Sequence, residues 1–70
     1  MHLVNAIEKL QQRHEIDAER ERLKITKASI AAKSGKSKVA VTYWFQAKID
    51  SAEIETAVND LISLKSSAVR

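Results

Sequence analysis

The stretch Lys27-Ala28-Ser29-Ile30-Ala31-Ala32-Lys33-Ser34-Gly35-Lys36-Ser37-Lys38-Val39-Ala40-Val41-Thr42-Tyr43-Trp44-Phe45-Gln46 has the spacing of two short helices joined by a tight turn. Helices that cross at roughly 90–120° through a turn of about three to four residues touch beside that turn, so the first must offer a small side chain where the second passes over it. Ala31 is that side chain. Four residues on, Gly35 supplies a positive φ without a Cβ clash. Val41, six residues after the glycine, is then placed to point inward, and Trp44 follows three later. Ile30, beside the small residue, faces the same core.

Working outward, Ile25-Thr26 reads as a short linker, with Thr26 as N-cap of a helix over 27–34. Ser37 caps the next helix, over 38–48. Upstream, Leu3, Val4, Ile7 and Leu10 recur at helical spacing. Beyond them His14, Asp17 and Glu21 fall where apolar residues would continue. The dense charge there favours one helix over 2–22, with a break near His14–Asp17 as the alternative. Downstream, Asp50-Ser51-Ala52-Glu53 has the form of a capping box with Asp50 as the cap. It opens a helix over 51–65 whose apolar positions are Ile54, Ala57 or Val58, Leu61, Ile62 and Leu64. The tail Ser66–Arg70 is expected to fray. With no Pro and one Gly, little turn chemistry exists for hairpins. The expected architecture is all-α, a small four-helix domain spanning residues 1–70.

Charge is distributed unevenly. Residues 1–22 carry four basic against five acidic side chains, and residues 50–70 carry two against four. Residues 23–49 carry Lys24, Lys27, Lys33, Lys36, Lys38 and Lys48 with no acid at all, a net of +6 against +3 for the whole chain. An acid-free, lysine-bearing segment suits a polyanion partner; a solvated basic face that binds nothing is the other reading.

The motif resembles the helix-turn-helix DNA-binding family, most closely short phage and plasmid regulators of the Cro and repressor type. The resemblance covers about residues 25–46 and rests on Ala28, Ile30, Ala31, Gly35, Val41 and Trp44. Two features depart from the family pattern: Ser34 and Lys36 flank the glycine where apolar residues are common, and a long charged segment precedes the motif. The resemblance implies a sequence-specific regulator of transcription, a repressor by expectation, that binds double-stranded DNA with the helix beginning at Lys38 in the major groove. Ser37, Lys38, Val39, Thr42, Tyr43 and Gln46 would then face the bases. Gln46 suits adenine, Lys38 guanine, and Val39 a thymine methyl, unless Val39 is a core residue. Lys27, Lys33, Lys36 and Lys48 would hold phosphates. A protein-interaction adaptor on the same scaffold, or a packaging or recombination accessory, is the alternative.

A domain of seventy residues has a core worth roughly 3–5 kcal/mol, and pairing would add both stability and half-site reading. A homodimer is expected, through Ile54, Ala57, Leu61 and Leu64 of the last helix or through the first helix. Catalysis is not expected. His2 and His14 are the only histidines, no Cys exists for zinc or a disulfide, and Gly35-Lys36-Ser37 echoes a P-loop only with Ile30 standing at its required glycine. No metal, cofactor or small-molecule ligand is expected. The opening residues lack the regions of a secretory signal, and the apolar runs fall far short of the ~20 residues of a membrane span. The expected compartment is the cytoplasm.

Overall fold

In the computed structural model, which describes residues 2–68 and the side chains of residues 6–67, four helices follow one another through short connections. They are α1 (His2–Arg22), α2 (Lys27–Ser34), α3 (Lys38–Phe45) and α4 (Ala52–Ala68). Among the described residues there is no strand, so the all-α, four-helix expectation holds.

The connections form for local reasons. Thr26 sits in extended backbone and its hydroxyl accepts from the Ser29 N–H at 3.1 Å, capping α2. Gly35 ends α2 in the left-handed region, at φ 75°, with its N–H and that of Lys36 both donating to the Ala31 carbonyl. Ser37 repeats the extended cap, accepting from the Ala40 N–H at 3.1 Å. The polar residue before Gly35 is accommodated by hydrogen bonding. The Ser34 hydroxyl donates to the Ala31 carbonyl and accepts from the Lys36 N–H, each at 3.3 Å.

Burial follows the helical pattern. Ile30 and Ala31 of α2, Val41, Trp44 and Phe45 of α3, and Ile54, Ala57 and Val58 of α4 form the core, with Ile25 sealing the α1–α2 link. Trp44 and Phe45 meet edge to face, with ring centroids 5.2 Å apart. The buried Trp44 Nε1 has no hydrogen-bond partner among the described residues. Ile30, Val41, Trp44, Ile54 and Val58 are almost fully sealed, each contributing about 1.5–3 kcal/mol relative to exposure.

The first helix is continuous through 14–22, as the sequence reading favoured, while the extents of the third and fourth helices differ from it. The second half of α1 is not a solvated rod. Arg20 is buried, donates to the Ile25 carbonyl at 2.7 Å, pairs with Asp17, and lies over the Phe45 ring at 5.5 Å. Helix α3 stops at Phe45 rather than near 48, because Ala47 takes the left-handed conformation at φ 60° and the N–H groups of Ala47 and Lys48 turn back to Trp44 and Tyr43. Helix α4 starts one residue late and runs on to Ala68, so Ser66 and Ser67 are helical rather than frayed; Val69 and Arg70 lie outside the described residues. Its cap is Ser51, whose hydroxyl accepts from the Ile54 N–H at 3.3 Å, and not Asp50. Asp50 instead receives Lys9 at 3.0 Å and Arg13 at 2.8 Å from α1.

Arg13 completes the framework. Its guanidinium stacks 3.9 Å from the Trp44 ring centre and donates to the Trp44 carbonyl at 2.6 Å and the Ile49 carbonyl at 3.3 Å. One side chain thus ties α1 to the C-terminal end of α3 and to the segment leading into α4. No helix among the described residues is long and apolar enough to cross a membrane.

Candidate nucleic-acid interface

Helix α3 has two faces, and successive residues turn by about 100° around its axis. Val41, Trp44 and Phe45 occupy the inner side and are buried. Lys38, Val39, Thr42 and Tyr43 fall within an arc of about 140° on the other side, and Gln46 follows at the helix end. Val39 is 59% exposed and Tyr43 43% exposed, while Lys38 and Gln46 are exposed and Thr42 is half-buried. An apolar β-branched side chain held this far out contributes nothing to the core, so of the two readings of Val39 the surface one is observed.

Ser37 is exposed as well, but its hydroxyl already accepts the Ala40 N–H, which leaves its O–H to donate outward. Gln46 is not within the helix. It is the C-cap residue, its N–H donating to the Thr42 and Tyr43 carbonyls, and its amide reaches solvent from the helix end. Lys48 follows in the turn, with Nζ 5.5 Å from the Tyr43 ring centre. That contact aligns the ammonium with the edge of the outward face.

The lysines divide into two groups by position. Lys27, at the start of α2, borders a shallow notch that Arg20, Glu21, Thr26, Lys38 and Thr42 also line, so the starts of α2 and α3 meet there with two lysines and the Glu21 carboxylate at one place. Lys33 is not brought to this place. It lies in a shallow groove between α2 and α4 beside Glu53 and Asp60. Lys36 projects from the turn, close enough to Glu53 that its charge helps hold that carboxyl below the ordinary range, after the larger effects of Glu53's own backbone N–H and the Ser51 hydroxyl. Among the described residues, none of the six lysines of residues 23–49 stands within ion-pair distance of an acid; the ion pairs involve Lys9, Arg13, Arg20 and Arg22, all on α1.

The last-helix dimer seam expected from sequence is corrected in part. Ile54 and Ala57 are 0% and 2% exposed because they fill this chain's own core, so they are not available to a second chain. Leu61 is half-buried against that core, and Leu64 alone of the four is widely exposed.

Sequence reasoning missed Arg13, Arg20 and Asp50, which hold α1 against the helix pair. Only the Asp17–Arg20 spacing of three residues signalled any of it; the contacts of Arg13 span more than thirty residues of sequence. Comparison of the chain with protein-family models, with curated proteins and with solved structures returns no match.

Proposed function

We propose that this protein is a sequence-specific, double-stranded-DNA-binding regulator of transcription, acting in the cytoplasm as a homodimer on paired half-sites. The observation that carries the reading is the outward face of α3: exposed donor, acceptor and apolar groups on one arc, with lysines at its edges that form no ion pair among the described residues.

An α-helix entering the major groove reads bases with its outward side chains and leaves orientation to phosphate contacts. Lys38 in the first turn reaches guanine O6 and N7, Thr42 and Ser37 bond to several bases, Val39 packs on a thymine methyl, and Gln46 bonds adenine from the helix end. Tyr43 borders this set. Lys27, at the notch, sits where the positive end of α2 and an ammonium act on the same phosphate oxygen. Lys36 and Lys48 grip the backbone on either side. With no arginine on the reading face to fork onto guanine, each half-site is read modestly, and repression or activation then depends on occupying two half-sites together.

The test is selection of bound duplexes from a random library, followed by titration of the winning sequence and of scrambled DNA. Lys38→Ala and Gln46→Ala are expected to weaken binding to the selected site by about 1–3 kcal/mol each, with little change on scrambled DNA. Enrichment of no sequence, or equal losses on both duplexes, refutes base reading.

A further inference from the structure

The notch where the end of α1 meets the first turns of α2 and α3 brings together opposite charges that do not pair with each other. Arg20 and Glu21 come to it from α1, Thr26 and Lys27 from the start of α2, and Lys38 and Thr42 from α3. Arg20 belongs to the fold. Its Nε and Nη2 meet Asp17 at 2.8 and 2.7 Å, and its Nη1 donates to the Ile25 carbonyl at 2.7 Å. Glu21 is held far less. Its carboxylate stands 3.5 Å from the Nη2 that Asp17 already engages, and its side chain is 71% exposed. It is also the penultimate residue of α1, where the negative end of the helix dipole disfavours an acid. Among the described residues it reaches neither Lys27 nor Lys38 within ion-pair distance. The fold has little use for this carboxylate.

We propose that Glu21 reads cytosine: with Lys38 it takes one G·C pair in the major groove, Lys38 donating to the guanine O6 and N7 and the Glu21 carboxylate accepting from the cytosine N4 amine. The inference rests on the DNA-reading function above and adds to it a specificity-determining residue outside α3. Chemistry decides the base. An ionised carboxylate only accepts hydrogen bonds, so beside DNA it repels the phosphates that Lys27 and Lys38 attract unless a donor faces it. In the major groove the donors are the exocyclic amines, cytosine N4 and adenine N6. A G·C pair sets two neighbouring acceptors, guanine N7 and O6, beside that one amine, and an ammonium with a carboxylate in one notch complements this pattern. In an A·T pair the amine lies between two acceptors, adenine N7 and thymine O4, which repel a carboxylate. On every other sequence the charge of Glu21 works against the lysines, so the same group penalises the wrong duplex and rewards the right one.

The test sets the wild type beside Glu21→Ala and Glu21→Gln, by selection from a random duplex library and by titration of the selected site and of scrambled DNA. The wild type should enrich a site with an invariant G·C pair at the position that Lys38→Ala relaxes. Both Glu21 variants should bind scrambled DNA about two- to fivefold more tightly, the effect of removing one exposed repulsive charge. Their ratio of selected to scrambled affinity should fall at least about fivefold. Selection repeated with Glu21→Ala should lose the cytosine at that position and keep the other preferences, and Glu21→Gln should turn it toward adenine, the base that a glutamine amide suits. Arg20 keeps Asp17 and the Ile25 carbonyl in both variants, so thermal unfolding followed by circular dichroism should not move. Variants that select the same site as the wild type, or that gain equally on both duplexes, overturn the role of Glu21 and leave base reading by α3 standing. Lower melting temperatures with equal losses on both duplexes make Glu21 a structural residue and overturn the inference in the same way. A wild type that enriches no sequence refutes base reading itself, and the role of Glu21 falls with it.

Discussion

Two parts of this chain are rich in positive charge and use it in opposite ways. On α1, Lys9, Arg13, Arg20 and Arg22 each pair with a carboxylate of the same chain, and the two arginines nearest the core also donate to backbone carbonyls. Over residues 23–49, six lysines approach no acid within ion-pair distance among the described residues. Residue type follows the difference, Lys9 excepted. A guanidinium fork satisfies a carbonyl and a carboxylate together and stacks on a ring, so it tolerates burial; an ammonium is a hydrated point charge that stays in water until a phosphate replaces that water. Net charge already separates the two regions, with four basic against five acidic side chains over residues 1–22 and a net of +6 over residues 23–49, and the partners show what the charges of α1 fasten.

The sharpest way to break that distinction is at Arg20. Arg20→Ala leaves the Ile25 carbonyl without its donor and uncovers the Phe45 ring, at a cost of about 2–3 kcal/mol, most of what a core of this size supplies. Lys38→Ala, by contrast, is expected to change stability by no more than about 0.5 kcal/mol. Urea unfolding of the two variants decides the matter, and comparable losses would show that the lysine segment is structural after all.

Arg13 comes next in size. Arg13→Lys keeps the charge near Asp50 but loses the simultaneous bonds to the Trp44 and Ile49 carbonyls and the planar stack on Trp44. The expected destabilisation is about 1–2 kcal/mol. A lysine variant as stable as the parent would mean that charge, rather than the fork, is what α1 requires.

These two arginines also mark where sequence reading ran out. The helix pair was legible because its requirements are local: a cap at Thr26, a left-handed residue at Gly35, a cap at Ser37, and small or apolar residues at fixed offsets, all of which the structure shows. The outward arc of α3 was legible for the same reason, since burial of Val41 and Trp44 fixes which side remains. What failed was non-local. Asp50 has the form of a cap, yet Ser51 takes the role because Asp50 is drawn to Lys9 and Arg13, more than thirty residues away in sequence. The stop of α3 was missed because an alanine, not a glycine, adopts the left-handed turn. Ile54 and Ala57 read equally well as seam or core until the neighbouring helices are placed.

Within the lysine segment the comparison can be sharpened by position. Lys27 shares the notch at the start of α3 with Lys38 and Glu21, whereas Lys33 faces α4 beside Glu53 and Asp60. Lys27→Ala should flatten the dependence of log K on log salt by about 0.9, the signature of one phosphate contact, and weaken all duplexes alike. Lys33→Ala should leave the slope where it was. Equal changes in slope would mean that a diffuse positive field, rather than placed contacts, holds the nucleic acid.

The smallest effect concerns acid. Hydrogen bonds from Lys9 and then Arg13 hold the Asp50 carboxyl below its ordinary range. A folded-state pKa below the unfolded value contributes stability that is complete above the ordinary value of about 3.9 and is lost as pH falls through the lowered one. Asp50→Asn removes that contribution at every pH. Chemical unfolding should therefore show the parent more stable at neutral pH, with the gap narrowing below about pH 4. Glu19 and Glu53 are lowered too, by Arg22 and by the start of α4, but both remain in each protein and cancel from the difference. Because Asp50 is two-thirds exposed, solvent screens much of the attraction, and the gap should also shrink in high salt. A gap indifferent to both pH and salt would mean that Asp50 fastens α1 through geometry alone, and the contrast between paired arginines and unpaired lysines would then rest on shape rather than charge.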